Sequence, residues 1–322
     1  MATRLRPSPA HRRRRIAAVA ALLGAVVLVV ALLALLGGGG DDEGSRASAE
    51  RKAAAAKPPP PPELPRGGRR LLPDHRIVAF YGAPQAHELG ELGIGTPASA
   101  ARRLRKQARP YERRTRPVLP AMELITVVAA AHPGEDGRYN TRQEDAVIRR
   151  YLRAARRAKA LLILDIQPGR SDFFTETVRL RKWLKHPDVG LAIDPEWRMG
   201  PGEVPGNVIG HVGSREVNAT SAWLDQLVQK RNLPQKLFLI HQFTNDMVED
   251  AELKPRKGLA MVLNADGFGT QANKNSKYHA FTKSPREFFH QGYKLFYRED
   301  TDLMSPRQVL RLRPPPDVVI YE

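Results

Sequence analysis

The sequence has no cysteine among its 322 residues. Disulfide bonds, thiolate metal sites, cysteine nucleophiles and lipid attachment at a lipobox cysteine are therefore excluded. The Gly-x-Ser-x-Gly turn of serine hydrolases is also missing. So are His-x-His and His-Glu-x-x-His, two spacings typical of metal sites. The chemistry of this chain must be sought in other side chains.

Acidic residues are outnumbered by basic ones, 34 to 52, which gives a formal net charge of +18. The surplus continues along predicted helices, as in 102–106 and 149–159. Such a positive charge favours the binding of nucleic acid, an anionic membrane surface or acidic wall polymers. No nucleic-acid-binding motif accompanies it, so we expect a solvated basic surface and no nucleic-acid partner.

One long apolar segment lies near the N-terminus. Residues 16–36 carry no charged or polar side chain, and the basic run 11–15 precedes them. About 20 apolar residues span a bilayer as a helix, and preceding arginines stay cytoplasmic. A cleaved signal peptide, the alternative, normally has an apolar core of only about 7–15 residues. The pattern favours an uncleaved signal-anchor in the cell membrane, with a cytoplasmic segment 1–15, a single transmembrane helix 16–36 and an extracytoplasmic domain.

Residues 37–75 form a predicted linker. They include four consecutive glycines at 37–40, an alanine–lysine stretch and five consecutive prolines at 58–62. Such compositions give a flexible and then a semi-rigid tether without a core of its own. The sequence leaves open whether the last part, 64–75, covers the floor of the domain that follows.

From residue 76 onward, short apolar runs alternate with helical patterns. Strands that alternate with helices indicate βαβ units and a parallel sheet. Eight such runs in one domain, 76–322, predict an α/β fold of the (β/α)8 TIM-barrel class. The predicted strands are 77–82, 118–125, 161–167, 189–196, 237–243, 259–266, 294–299 and 318–321.

Helical spacing of apolar residues marks the segments around these strands. The segment 198–216 contains several prolines and glycines and is expected to be a long loop after the fourth strand. The predicted helices are 98–109, 142–159, 173–185, 217–231, 245–253, 285–290 and 306–312.

The fourth predicted strand, 189–196, organises the expected site. Large branched residues alternate with small ones, and the small series ends in Asp194 and Glu196. Because strand side chains alternate between faces, both acids are expected on the inward face at the carboxyl end of the strand. Parallel α/β proteins bind their ligands at that end.

Other predicted strands also end in polar or aromatic residues. Buried carboxylates cost free energy unless they are paired or hydrogen-bonded, so a ring of acids at one barrel end indicates a ligand site. Paired carboxylates beside aromatic side chains are typical of glycoside hydrolysis, in which one acid protonates the leaving oxygen and another attacks or activates water. The candidate catalytic residues are Glu196, Asp194, Asp266 and Glu299, with Glu196 as the proton donor. The candidate substrate-binding residues are Tyr81, Glu123, Asp165, Gln167, Trp197, His241, Gln242 and Tyr297.

The Asp-x-Glu pair that ends the fourth strand, here Asp194-Pro195-Glu196, resembles glycoside hydrolases of the muramidase and chitinase kind. In those families the Glu is the acid and the Asp supports it, which implies these roles for Glu196 and Asp194. The longer chitinase pattern of three spaced aspartates is absent, since 189–193 contains none. The layout of 76–322 also resembles membrane-anchored barrel proteins of high-GC Gram-positive bacteria, a likeness that implies no activity.

Three functions stay open at this point. The first is hydrolysis of an envelope carbohydrate by carboxylate acid–base chemistry, without a metal or another cofactor. The second is a barrel that binds such a glycan without cleaving it. The third is metal-assisted hydrolysis of the phosphodiesterase or deacetylase type, with His211, His241 and His290 beside several acids. The sequence identifies neither the sugar nor a protein partner.

Overall fold

The computed structural model describes residues 60–249, 252–283 and 288–322. Its compact unit is Pro61–Glu322. The predicted segments 1–15 and 16–36, and the linker up to residue 59, lie outside the described residues. Among the helices of the described part, none combines the length and the hydropathy that a membrane crossing requires.

Within the described residues, nine strands form one sheet. They are β1 Arg76–Gly82, β2 Val118–Ala129, β3 Asn140–Arg142, β4 Leu161–Ile166, β5 Val189–Ile193, β6 Lys236–Gln242, β7 Leu259–Ala265, β8 His290–Leu295 and β9 Val318–Tyr321. All except β3 are parallel, and β1 pairs with both β2 and β9, which closes an eight-stranded barrel. The short β3 pairs antiparallel with β2 outside this ring. The predicted α/β fold of the TIM-barrel kind is confirmed.

Helices accompany the barrel strands. The α-helices of the described residues are α1 Pro97–Ala108, α2 Asp145–Arg157, α3 Phe173–Arg179, α4 Arg181–Leu184, α5 Ser214–Lys230, α6 Gln271–Phe281 and α7 Pro306–Val309. The predicted helix 245–253 is wrong over its described part, because 245–249 form a turn and an isolated bridge. The prediction 285–290 falls largely on residues outside the description, and His290 already begins β8.

Helix α1 begins with a reciprocal cap. The Thr96 side chain accepts from the amide of Ser99 at 3.2 Å, and the Ser99 hydroxyl accepts from the amide of Thr96 at 3.0 Å. The two bonds satisfy amides that otherwise have no partner in the first helical turn.

We expect Thr96→Ala to lower the free energy of unfolding by about 1 kcal/mol, because the Ser99 amide loses its acceptor. Urea denaturation followed by circular dichroism measures this loss. The control is Arg102→Ala, an exposed position in the same helix. Equal stability of the two variants would contradict the capping role.

The core has two layers on either side of the sheet. The larger layer lies between the strands and the helices. The smaller layer fills the barrel interior, where the first inward side chains of the strands, such as Ile77, Leu119 and Leu237, meet. Packed side chains therefore close the barrel at its amino-terminal end.

The segment 61–75 forms the floor of the barrel. Leu64, Leu71 and Leu72 are at most 4% exposed and join the interior layer. The amides of Leu71 and Leu72 donate to Oε1 of Gln235, which precedes β6, at 2.8 and 3.1 Å. The segment 61–75 thus belongs to the compact unit and takes the floor position that the sequence left open.

Two strand ends differ from the predictions. Strand β5 stops at Ile193, and Pro195–Trp197 form a 3-10 turn. Proline has no amide proton to donate to a sheet, which explains the early stop. Strand β8 begins and ends four residues earlier than the predicted run 294–299. Its Gly292 faces Asn264 so closely that a Cβ atom would lie 2.5 Å from the Asn264 Oδ1 atom, so no larger apolar residue fits at this position. The strand therefore lacks the continuous apolar run that marks the other strands.

Candidate active site

A cavity of about 330 Å³ opens at the carboxyl ends of the barrel strands. This volume lies at the small end of the range of ligand sites, about 300–1,000 Å³. Its apolar wall is formed by Leu89, Ile125, Val128, Trp197, Phe243, Phe268 and Phe296. Its polar wall includes Tyr81, Gln167, Asp194, Glu196, Asp266, Lys294 and Glu322.

Asp194 and Glu196 both line this cavity, but through a turn rather than one strand face. The Asp194 amide donates to the carbonyl of Ile166 at 3.0 Å, which fixes the end of β5 beside β4. The Glu196 carbonyl accepts from the amide of Gly210 at 2.7 Å, so the loop after β5 folds back onto the turn. The predicted meeting of the two acids is thus reached by a different local geometry.

Burial changes the ionisation of both acids. Asp194 is 4% exposed, and its burial raises the pKa of its carboxyl well above the usual range. Burial also raises the pKa of Glu196, and repulsion from Asp266 adds to this effect. Both effects favour the protonated form of a carboxyl group.

Asp266 experiences the opposite balance. Its burial opposes ionisation, but Lys294 and His241 outweigh this penalty and lower the pKa of Asp266. The Lys294 Nζ atom lies 3.2 Å from Oδ2 of Asp266 and 2.7 Å from Oε2 of Glu322. The Asp266 Oδ1 atom accepts from the amide of Gly267 at 2.7 Å. Asp266 is therefore held as a carboxylate in the same cavity.

His241 lies at the centre of the acidic network. It donates from Nδ1 to Oδ2 of Asp266 at 2.7 Å and from Nε2 to Oε1 of Glu123 at 3.0 Å. Burial opposes its charge, yet Glu123 and Asp266 raise the pKa of His241 well above the usual range. His241 therefore orients Asp266 from behind the cavity wall.

A second chain of contacts connects the cavity to Asp165. The Gln167 Nε2 atom donates to the Tyr81 hydroxyl at 3.0 Å, and that hydroxyl donates to Oδ2 of Asp165 at 3.1 Å. Asp165 is fully buried, and this burial raises its pKa to about 7, with repulsion from Glu123 and attraction to His241 acting in opposite directions. Tyr81 and Gln167 line the cavity, whereas Asp165 and Glu123 are fully buried and do not line it.

Three predicted site residues lie elsewhere. Glu299 is not on a strand but on the exposed turn after β8, and it lines a separate depression with Tyr297. Tyr297 stacks on Tyr321 with ring centroids 5.2 Å apart. Gln242 donates to the carbonyls of Thr244 and Asn245 and so shapes the turn after β6. None of these three side chains lines the cavity.

The structure also brings in residues that the sequence did not indicate as site residues. Lys294 lies with its Nζ atom 3.8 Å from the ring centroid of Tyr81, and Glu322 follows β9. Phe243 and Phe296 extend the apolar wall. The signal that could have identified Lys294 is a lone charge among apolar neighbours, Tyr293, Leu295 and Phe296.

The three histidines considered for a metal site do not meet. His211 is exposed in the loop after β5, and His290 pairs with Asp317 at 2.7 Å at the opposite end of the barrel from His241. No protein-family model and no curated protein matches this chain in sequence.

Proposed function

We propose that this chain hydrolyses a carbohydrate of the cell envelope, with Glu196 as the proton donor and Asp266 as the ionised partner. One observation carries the proposal: both groups line one cavity, and their surroundings favour opposite protonation states. Acid and base roles at one site require two carboxyl groups whose surroundings favour different protonation states.

The reaction follows from these two states. Glu196 transfers its proton to the glycosidic oxygen as the bond from that oxygen to the anomeric carbon breaks. The Asp266 carboxylate stabilises the positive charge that develops on the sugar ring. A water molecule supplies the hydroxyl group of the new reducing end, and its proton restores the acid.

Two further features support a sugar as the substrate. Aromatic side chains of Trp197, Phe243 and Phe268 line the cavity and offer faces for sugar rings. Asp194 and Gln167 lie beside them as hydrogen-bonding groups. A few polar groups in a largely apolar cavity are typical of sites that orient a small ligand.

The direct test is the release of reducing ends from purified wall and capsule polymers by the full-length chain. We expect release from at least one polymer, and we expect Glu299→Gln to keep that activity because its side chain lies outside the cavity. A chain that binds a glycan but releases no reducing ends from any of these polymers would instead be a glycan-binding barrel.

The cavity rim offers a separate prediction. Phe268 is 61% exposed and lines the cavity, so its ring is free to stack on a sugar. We expect Phe268→Ala to weaken glycan affinity by about 2- to 10-fold, as for the loss of one stacking contact. Isothermal titration calorimetry measures the change. Phe174→Ala, an exposed phenylalanine of α3 outside the cavity, is the matched control, and an equal loss there would refute the stacking role.

A further inference from the structure

Three side chains meet inside the barrel beneath the cavity. They are Glu123 of β2, Asp165 of β4 and His241 of β6, and each is at most 1% exposed. Each offers one ligand atom, and these atoms lie within 4.8 Å of one another. We propose that Glu123, Asp165 and His241 bind one divalent transition-metal ion, Zn²⁺ or Mn²⁺.

The distances fit such an ion. The His241 Nε2 atom lies 3.0 Å from Oε1 of Glu123 and 3.9 Å from Oδ1 of Asp165. Bonds of about 2.0–2.2 Å in a tetrahedral site place neighbouring ligand atoms about 3.4 Å apart. The two observed distances lie on either side of that value, so small side-chain movements suffice.

Two carboxylate oxygens give independent support. Oε2 of Glu123 and Oδ1 of Asp165 are buried and have no hydrogen-bond partner within the described part of the chain. A buried oxygen without a partner is costly, since it has lost its water and gained nothing. A cation between these side chains removes that cost.

The outer contacts are those that a metal site needs. A histidine that ligates a metal usually donates its other ring N–H to a carboxylate, which fixes the ring. His241 donates from Nδ1 to Asp266 at 2.7 Å and so presents Nε2 to the other two side chains. The Tyr81 hydroxyl holds Oδ2 of Asp165 at 3.1 Å and leaves Oδ1 for the ion.

The charge of the barrel end also favours a cation. Six carboxyl groups lie there, and the basic side chains that pair with them in the described residues are His241 and Lys294. The carboxyl groups are those of Glu123, Asp165, Asp194, Glu196, Asp266 and Glu322. A divalent ion that displaces the Nε2 proton of His241 lowers the negative excess by one charge in a region of low dielectric constant.

The inference goes beyond the proposed hydrolysis and does not depend on it. The ion lies below the cavity, because the cavity is lined by Tyr81 and Asp266, which hold its ligands, and not by the ligands themselves. It would lock the His241 ring and, through that ring, the position of Asp266.

The test uses metal alone and no substrate. The full-length chain is treated with EDTA, dialysed, and then titrated with Zn²⁺ or Mn²⁺. We expect one tightly bound ion per chain by elemental analysis after gel filtration, and a higher melting temperature with the ion than with EDTA. A wild-type chain that retains neither ion would overturn the proposal.

Variants locate the ion. We expect Asp165→Asn to weaken Zn²⁺ binding by at least about 10-fold. Glu299→Gln, which removes an exposed carboxylate outside this barrel end, should bind Zn²⁺ as the wild type does. Circular dichroism shows whether each variant is folded. Binding that is equal in a folded Asp165→Asn chain would place the ion elsewhere and refute the site.

A second measurement uses only the wild type, so it does not depend on whether Asp165→Asn folds. Co²⁺ bound to the wild type gives visible absorption bands that depend on its ligands, and one equivalent of Zn²⁺ should remove them. In parallel, histidine-selective ¹⁵N NMR should show a shift of one buried imidazole on Zn²⁺ addition. Shifts confined to exposed histidines such as His211 would contradict the assignment to His241.

Discussion

Glu196→Gln should lower the rate of glycan hydrolysis by about 10²–10⁴-fold while glycan affinity changes little. Glutamine has nearly the size of glutamate and keeps most of its hydrogen bonds, but it has no acidic proton for the leaving oxygen. Because the side chain lines the cavity, the lost proton transfer acts directly on the substrate. Turnover from reducing-end release and affinity from calorimetry give the two quantities.

The pH profile adds a check on the same residue. The acid must be protonated to act, so kcat/KM should fall as the pH rises through the pKa of Glu196 in the free enzyme. Burial and the nearby Asp266 raise that pKa, so the fall should come at a higher pH than for an ordinary glutamate. A turnover that Glu196→Gln leaves unchanged, or a loss that lies entirely in binding, would remove Glu196 from the role of acid.

Lys236→Met should change the pH dependence of folding stability. Lys236 is 2% exposed at the start of β6, and its Nζ atom donates to the carbonyls of His186 and Val189. Burial lowers its pKa to about 7. Between pH 7 and 10 the unfolded chain therefore binds a proton at this lysine that the folded chain does not, so stability rises with pH. The free energy of unfolding of the wild type, relative to Lys236→Met, should rise by about 4 kcal/mol over this interval.

Denaturant titrations at several pH values measure this difference. Lys230→Met, which removes an exposed lysine of α5, should give a curve parallel to that of the wild type. A Lys236→Met curve that is also parallel would mean that Lys236 stays charged in the folded protein.

The barrel could be predicted because its strands are buried on both faces. Such strands appear as short continuous apolar runs, as in β4 and β5. The rule that ligands bind at the carboxyl ends of parallel strands then placed Asp194, Glu196 and Asp266 around one cavity. For these acids, the sequence contained enough information to indicate their common location.

The parts of the fold that the sequence did not predict depend on tertiary contacts, which leave little pattern in the local sequence. Strand β8 contains Gly292 and Lys294 on its inward face, and neither is a typical core residue, so its register was misplaced by four residues. Helix α6 was missed because its sequence is mostly polar, although Tyr278 and Phe281 are buried. The floor segment was assigned to the linker, because its few leucines lie among prolines, glycines and arginines.

The floor segment determines how the domain would respond to mechanical force. A pull on the chain from its N-terminal side reaches Leu64, Leu71 and Leu72 before any barrel strand. The amides of Leu71 and Leu72 share one acceptor, Oε1 of Gln235, so these two contacts would be lost with the movement of a single side chain. Force from that side would therefore act on the floor before it acts on the closed ring of strands, at the end of the barrel opposite the cavity.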